Sequence, residues 1–328
     1  MRSSMKLLAA AVAIVALGFG IAALGAAPEK KKVTIGLPVT TSTFLPLYLA
    51  EQEGFFKAEG VEVQLVAFRG GTDLVRGVVA GAVDIAVGAL AEALVGVESG
   101  QQIKVFYGGF NMAIFDWYAV PRIKSFDQVK GARFGVTTFG SSTDFLTRYA
   151  LTTRGLDPAR DVKIIQGGGS GPRLAAMEAG QLDVNIFATP EKFVAADRGY
   201  NLILRQTDLA SDYPFHVFYA KQSFIDKNPN TIRSILRGFV KGVRMAKADK
   251  DRSVKILVEK TGLEARYAAR GYDEFIGYIY EDGRLPSEAG MKAFWEIGIR
   301  NGSYKEPWPK DRYWIGTLHD TFNEWKPN

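Results

Sequence analysis

Short apolar runs, each entering a glycine or a polar loop and followed by an amphipathic stretch, recur along this chain as two matched sets. Residues 33–120 and 132–219 align with a single shift of 99 and no gaps. Val33-Thr34-Ile35-Gly36-Leu37 lies over Ala132-Arg133-Phe134-Gly135-Val136, and each run reads as a strand feeding a polar loop, at Ser42 and at Ser141. Val63, Leu65 and Val66 lie over Val162, Ile164 and Ile165, and the turns that follow put Gly70-Gly71 over Gly169-Ser170. Ala80-Gly81-x-Val83-Asp84-Ile85 lies over Ala179-Gly180-x-Leu182-Asp183-Val184, where a helix stops at glycine and an apolar strand begins two residues on. Ile103 and Val105 match Leu202 and Leu204, and Tyr118-Ala119-Val120 matches Val217-Phe218-Tyr219. So many pairs at one offset mark an internal duplication.

Each copy alternates strand and helix, with helices expected over 44–57 and 72–80 in the first and over 145–154 and 172–179 in the second. That alternation builds a mostly parallel sheet covered by helices, so the fold class is α/β with two similar lobes. Segments 115–121 and 214–220 read as crossings between lobes. Lobe 1 is then residues 33–116 with 217–325, and lobe 2 is residues 117–216. After Pro229 the pattern turns helical, with Ile232, Ile235, Leu236, Phe239, Val240 and Val243 on one stripe, and stays so to Ile299 with a break at 282–286. This helical tail is expected to pack on lobe 1, with Trp308, Tyr313, Trp314 and Trp325 filling surface grooves. Asp84 and Asp183, matched by the repeat, read as turn residues at strand starts.

Length and composition agree: 328 residues, 47% hydrophobic and 23% charged, suffice for two packed domains and exclude disorder. Arg2 and Lys6 precede an apolar run from Leu7 to Leu24 and then Gly25, Ala26 and Ala27, so residues 1–27 read as an export signal to be left out of the fold. An uncleaved anchor is the alternative, because 18 apolar residues just span a bilayer. No cysteine is present, which excludes a disulfide framework and a lipid-attached lipoprotein, so a soluble periplasmic protein, acting as a monomer, is expected. Without Arg2 and Lys6, the 41 basic residues exceed the 35 acidic ones by about four, spread too thinly for a nucleic-acid groove. Lys30-Lys31-Lys32 is the one tight cluster and reads as a solvated tail.

The chemistry of catalysis is missing. His216 and His319 are the two histidines, no His-Glu-x-x-His occurs, and no G-x-S-x-G surrounds a serine. Gly167-Gly168-Gly169-Ser170-Gly171-Pro172 lacks the Lys-Ser/Thr of a P-loop, and its proline suits plain helix initiation. No metal, no cofactor and no enzymatic activity are expected. Binding is better provided for, because ligands of open α/β sheets sit beyond the carboxyl ends of the strands, against helix N-termini. Four such loops pair through the repeat: Thr41-Ser42-Thr43 with Gly140-Ser141-Ser142, and Gly71-Thr72 with Ser170-Gly171. They offer backbone N–H groups and hydroxyls to an anion, or cap their helices. The crossing 110–118 carries Phe115 and Trp117, with His216 as the repeat partner of Trp117; Phe115 and Trp117 either give a ligand apolar area and stacking or wedge the two lobes. Asp116, Asp144 and Glu191 are candidates to meet an amine or ring N–H, and Arg69 and Arg173 to meet an acid. Leu90 and Thr189 complete the candidate lining.

A string of residues also resembles a known group: Gly54-Phe55-Phe56-Lys57-x-Glu59-Gly60-Val61-x-Val63, Ala80-Gly81-x-Val83-Asp84, Val129-Lys130-Gly131-Ala132-Arg133-Phe134-Gly135-Val136 and Gly180-x-Leu182-Asp183. It looks like the NMT1/THI5-like superfamily of ABC-importer substrate-binding proteins, which includes nitrate, alkanesulfonate, taurine and thiamine-pyrimidine binders, and the likeness spans residues 33–325. What the resemblance implies is a type II periplasmic-binding-protein fold, with lobe 1 built from both chain ends. It also implies a cleft ligand delivered to an inner-membrane ABC permease with its ATPase. The motifs belong to the scaffold and do not name the ligand. The superfamily's fungal enzyme makes a pyrimidine with a cysteine-rich iron motif, which a chain without cysteine cannot form. A small organic anion such as a sulfonate suits the neutral, donor-rich loops; an aromatic heterocycle such as a pyrimidine suits Phe44, Phe115, Trp117 and the acids near them.

Overall fold

The computed structural model describes residues 27–112 and 114–328. The expected export signal therefore lies almost wholly outside the described residues, among which no helix is long and apolar enough to cross a membrane. The first copy supplies β1 (Lys32–Leu37), β2 (Glu62–Ala67), β3 (Ile85–Ala89), β4 (Ile103–Asn111) and β5 (Asp116–Ala119). The second supplies β6 (Arg133–Val136), β7 (Lys163–Gln166), β8 (Val184–Phe187), β9 (Asn201–Arg205) and β10 (Pro214–Lys221). They form two five-stranded sheets, ordered β2-β1-β3-β10-β4 and β7-β6-β8-β5-β9. The two orders are the same once β5 and β10 are exchanged. Each copy sends its last strand into the other copy's sheet, antiparallel between the third and fourth strands. The segments expected to cross between lobes thus contain the strands that change sheets.

The duplication holds down to single hydrogen bonds. Thr34 pairs with Gln64 in the first sheet, and Arg133 with Lys163 in the second, both parallel. Ile35 faces Ile85, and Phe134 faces Val184. Gly81 and Gly180 both take left-handed φ, +76° and +68°, and the next residue's N–H closes each helix end, Ala82 on Gly77 O and Gln181 on Ala176 O. Asp84 accepts the N–H of Thr34 and Asp183 that of Arg133, so both aspartates tie the start of one strand to its neighbour, as their placement in the sequence suggests.

Helices α1 (Leu45–Gln52), α2 (Phe55–Ala58), α3 (Gly71–Ala80) and α4 (Leu90–Glu98) cover the first sheet; α5 (Ser142–Thr152), α6 (Ser170–Glu178) and α7 (Glu191–Asp197) cover the second. The single helix expected over 44–57 is two, because Gly54 takes φ +72° between them. After α8 (Gln222–Lys227), α9 (Pro229–Ala248) buries its whole predicted stripe, and Phe239 meets Tyr107, Phe110 and Phe218 of β4 and β10 edge-on or tilted. α10 (Lys250–Thr261) joins α9 on the first sheet's side. The tail does more than pack on lobe 1, however. α11 (Ala265–Phe275) reaches α7 through Tyr267 Oη, which donates to Asp197. α12 (Glu288–Arg300) stacks Phe294 on Phe145 of α5 at 5.7 Å. Trp308, Tyr313, Trp314 and Trp325 are buried, Trp314 bridging to Val105 at the sheet edge.

The Asp183 carboxylate is buried and takes donations from Arg122, from Arg133 and from the Arg133 backbone. The Arg133 side chain, chiefly, holds it well below the usual carboxylate range. A depressed folded pKa contributes stability that is complete above the unfolded value near 3.8 and is lost as pH falls through the folded one. Asp183→Asn is expected to cost about 2 kcal/mol at neutral pH. In melting curves the gap to the parent should hold above about pH 5 and shrink below about pH 4; a gap independent of pH would refute this assignment.

Candidate functional site

The carboxyl ends of the parallel strands in both sheets meet across a cleft, and the loops leaving them enclose a cavity of about 40 Å³. From the first sheet come Pro38, Val39, Thr40 and Thr41 after β1, Gly70 and Gly71 after β2, and Glu92 in the first turn of α4. From the second come Thr137, Ser142 and Thr143 after β6, Ser170 and Arg173 after β7, and Ala188 after β8. Ile114, Phe115, Phe215 and His216 close the floor, beside the exchanged strands. An outer chamber of about 510 Å³ adjoins it through Val39, Thr40 and Ser170 and is lined by Arg69, Gly167, Gly168, Gly169 and Glu191, among others.

The two sides are drawn together. Thr72 Oγ1 donates to Phe139 O at 2.7 Å, and the Ser142 N–H donates to Glu92 Oε1 at 3.3 Å, each bond passing from one lobe to the other. This is a shut cleft. About 40 Å³ holds some three water-sized spheres, so any larger solute enters only when the lobes part.

Arg173 stands at the fourth position of α6 and is 1% exposed. Its Nε donates to Gly168 O, and its Nη1 is directed at Ile186 O (2.5 Å), Asn185 Oδ1 (3.1 Å) and Gly135 O (3.3 Å). Asn185 Nδ2 returns a bond to Arg173 O, fixing the guanidinium's place over Phe187. Among the described residues no carboxylate forms an ion pair with it, and Nη2 has no hydrogen-bond partner. Burial lowers its pKa to about 10, with Glu191 opposing the shift, so the cation persists at neutral pH.

Glu92 answers it from the other side. Its Oε2 accepts the Ala89 N–H at 3.0 Å, as the N3 carboxylate of its own helix, while Oε1 receives Ser142. A Cβ on Gly71 would fall 1.7 Å from Glu92 Cδ, so only glycine lets α3 start there beside this carboxylate. Burial pushes the carboxyl up to about 7, with the hydrogen bonds from Ser142 and Ala89 opposing. His216, under Phe44 at 4.5 Å and against Phe215 at 3.7 Å, is pushed down to about 3 by burial and is neutral. Its Nδ1, like Thr41 Oγ1, has no partner among the described residues.

Of the residues expected to line the site, Thr41, Gly71, Phe115, Ser142, Ser170, Arg173 and His216 do so. The others lie elsewhere. Phe44 supports His216 from behind, fully buried. Trp117 is sealed in lobe 2 with Nε1 on Thr147 Oγ1, so it neither lines the cavity nor wedges the lobes there. Asp116 is held by buried Lys192, which also binds Glu274 of α11, and Asp144 is spent on Arg148 and the Gly140 N–H. Ser141 caps α5 and shares its hydroxyl with Thr137 and Thr143, whereas Ser42 and Thr43 are buried in a 3-10 turn with their hydroxyls unbonded among the described residues. Thr72 and Gly140 line the groove on the lobe-lobe seam, Leu90 is core, and Thr189 is buried beside Ala188 at a cis peptide before Pro190. Glu191 faces the outer chamber, and burial pushes it up to about 7. The residue missed was Glu92, although the duplication marks it: it stands 99 residues before Glu191.

Residues 26–258, more than half of the chain, match the model of the NMT1-like family, and the chain belongs to that family. The YtlA protein of Bacillus subtilis (strain 168) is 26% identical over 236 residues, 68% of each chain. A structure from Bordetella bronchiseptica RB50 superposes with a TM-score of 0.81 at 25% identity, covering 92% of this chain and 99% of that one. The alkanesulfonate-binding protein SsuA from Xanthomonas axonopodis pv. citri, bound to MOPS, superposes with a TM-score of 0.70 at 18% identity, covering 85% and 95%. The fold is that of the periplasmic binding proteins, as the sequence resemblance implied.

Gly71→Ala tests the shut geometry. Its methyl group must displace the Glu92 carboxylate, which is expected to cost about 1–3 kcal/mol and to break the Glu92–Ser142 tie. Small-angle scattering should then report a larger radius of gyration than the parent's. Unchanged scattering together with an unchanged melting point would disprove it.

Proposed function

As a member of the NMT1-like family, this chain is, we propose, the solute-capturing subunit of an ABC importer: it takes up a small organic acid of the sulfonate type between its lobes outside the inner membrane and hands it to the permease and its ATPase. The observation that carries this reading is Arg173, a buried guanidinium lining the cleft cavity whose Nη2 has no partner among the described residues. The remaining N–H groups on Nη2 suit a sulfonate or carboxylate oxygen, and the first turn of α6 adds backbone N–H groups beside Ser170. The α3 N-terminus, by contrast, already has Glu92 against it. Anion capture therefore belongs to the lobe-2 side of the cavity. The alkanesulfonate-binding relative supports the choice of acid. The lobes would part about residues 115–121 and 214–220, where the chain passes between sheets, and close when the ligand bridges them.

A second reading, an aromatic heterocycle such as a pyrimidine, keeps the support of Phe115 and Phe215, whose rings meet edge-on at 5.2 Å in the lining. It loses that of Trp117 and Phe44.

The test is calorimetry and thermal shift on the mature protein with alkanesulfonates, short carboxylic acids and pyrimidines. A bound acid at 100 times its Kd should add about 2.7 kcal/mol of stability. Arg173→Lys keeps the charge but loses the fork, and is expected to weaken acid binding by about 10- to 100-fold. If no acid raises the melting point while a pyrimidine does, the second reading replaces the first.

A further inference from the structure

Glu92 and Arg173 line one cavity from opposite lobes, 3% and 1% exposed, and neither has an ion-pair partner among the described residues. They do not pair with each other. A carboxylate offers about four acceptor positions, and Glu92 uses one on each oxygen, for Ala89 and Ser142. His216, the other titratable side chain in the lining, is neutral. The lining therefore carries one buried cation and, facing it, one buried carboxyl poised near neutral pH between its charged and protonated forms, each with hydrogen-bonding capacity left toward the cavity. A solute with a single negative charge would satisfy Arg173 and drive Glu92 to its protonated form, with no charge-assisted bond gained on that side. A solute carrying both charges satisfies both. Gly71 keeps the room in which the carboxylate stands, so the placement of Glu92 is built into the helix start.

We propose that Glu92 determines specificity in this cleft by binding a cationic amino group of the solute while the solute's acid meets Arg173, so that the protein selects zwitterionic amino acids or aminosulfonates over the corresponding plain acids. This rests on the acid-binding reading above and narrows it. Glu92 is both a latch, through Ser142, and a contact: the amino group bridges to a carboxylate already tied to the other lobe.

The experiment is titration calorimetry of the full mature chain with two matched pairs, 3-aminopropanesulfonate against propanesulfonate and 3-aminopropanoate against propanoate. In the parent protein the amino member of a pair should bind at least about 10-fold more tightly, the scale of one charge-assisted hydrogen bond. Glu92→Gln should weaken the amino member and strengthen the plain one, because it removes the attraction for the first and the repulsion for the second. A purely structural latch would weaken both together, and that result overturns the proposal. Glu92→Asp, which keeps the charge on a shorter stem, should retain the amino preference at reduced affinity; its loss there also overturns the proposal and gives a second reading if Glu92→Gln does not fold. Equal binding of the two members of each pair by the parent overturns the specificity and leaves the acid reading standing. If no member of either pair binds, the acid reading fails first and this inference with it.

Discussion

Each sheet has a gap between its third and fourth strands that its own half of the chain does not fill. The strand that fills it arrives from the other half, β10 between β3 and β4, and β5 between β8 and β9. Backbone N–H and C=O groups along such a gap would otherwise be buried without partners, so neither lobe completes its ladder alone. The two crossings run between the same pair of sheets, and they fix which ends of the sheets meet. Carboxyl ends of parallel strands point toward the seam, and with them the loops and helix starts that line the cavity. Binding geometry here is a consequence of strand exchange. The cleft exists because the lobes are joined at that end and are not fused along their length.

Two buried cations show how differently charge is handled near the seam. Lys192 is 3% exposed and sits between Asp116 on β5 and Glu274 on α11, so its charge is neutralised by carboxylates from both sides of the junction. That is a structural ion cluster, and it explains why Asp116 has nothing left for a ligand. Arg173 is equally buried, but its hydrogen bonds go only to carbonyl and amide oxygens, and Glu191 acts on it through space without forming an ion pair. Neutral acceptors orient a guanidinium without cancelling its charge, and the residual field is directed at the cavity.

Much of this architecture was legible because duplication repeats every local signal. The strand pairs Thr34–Gln64 and Arg133–Lys163, the glycine helix stops and the aspartate turns follow from a fixed offset, and each copy checks the other. Side-chain direction was much less legible. All four residues of β5 are buried, since the strand is covered on both faces, so alternation says nothing about which way Trp117 or Asp116 points. Ser42 and Thr43 read as helix caps, yet the chain makes a 3-10 turn before α1 and turns their hydroxyls inward. Glu92 escaped notice because acidic residues in first helical turns are common; only the tertiary approach of Gly71 and Ser142 makes this one part of a cavity.

The duplication also supplies an internal control on Arg173. Its counterpart 99 residues earlier is Leu74, fully buried in α3, which packs so closely on Gly36 that a Cβ there would fall 2.4 Å from Leu74 Cδ1. Gly135, the counterpart of Gly36, receives Arg173 Nη1 on its carbonyl. The same corner of the same scaffold is thus filled by a hydrocarbon in one lobe and by a cation in the other. Where leucine stands, burial alone suffices, and an apolar side chain in such a place contributes about 2 kcal/mol or more. A buried guanidinium without a carboxylate partner carries a desolvation penalty that the fold, by its own example, has no need to bear. The charge is therefore there for something other than stability. Set across the seam from Glu92, it makes the cavity of a nearly two-fold-symmetric scaffold unlike on its two sides, a guanidinium on one and a carboxyl on the other, so that a solute seated between them meets different groups at its two ends.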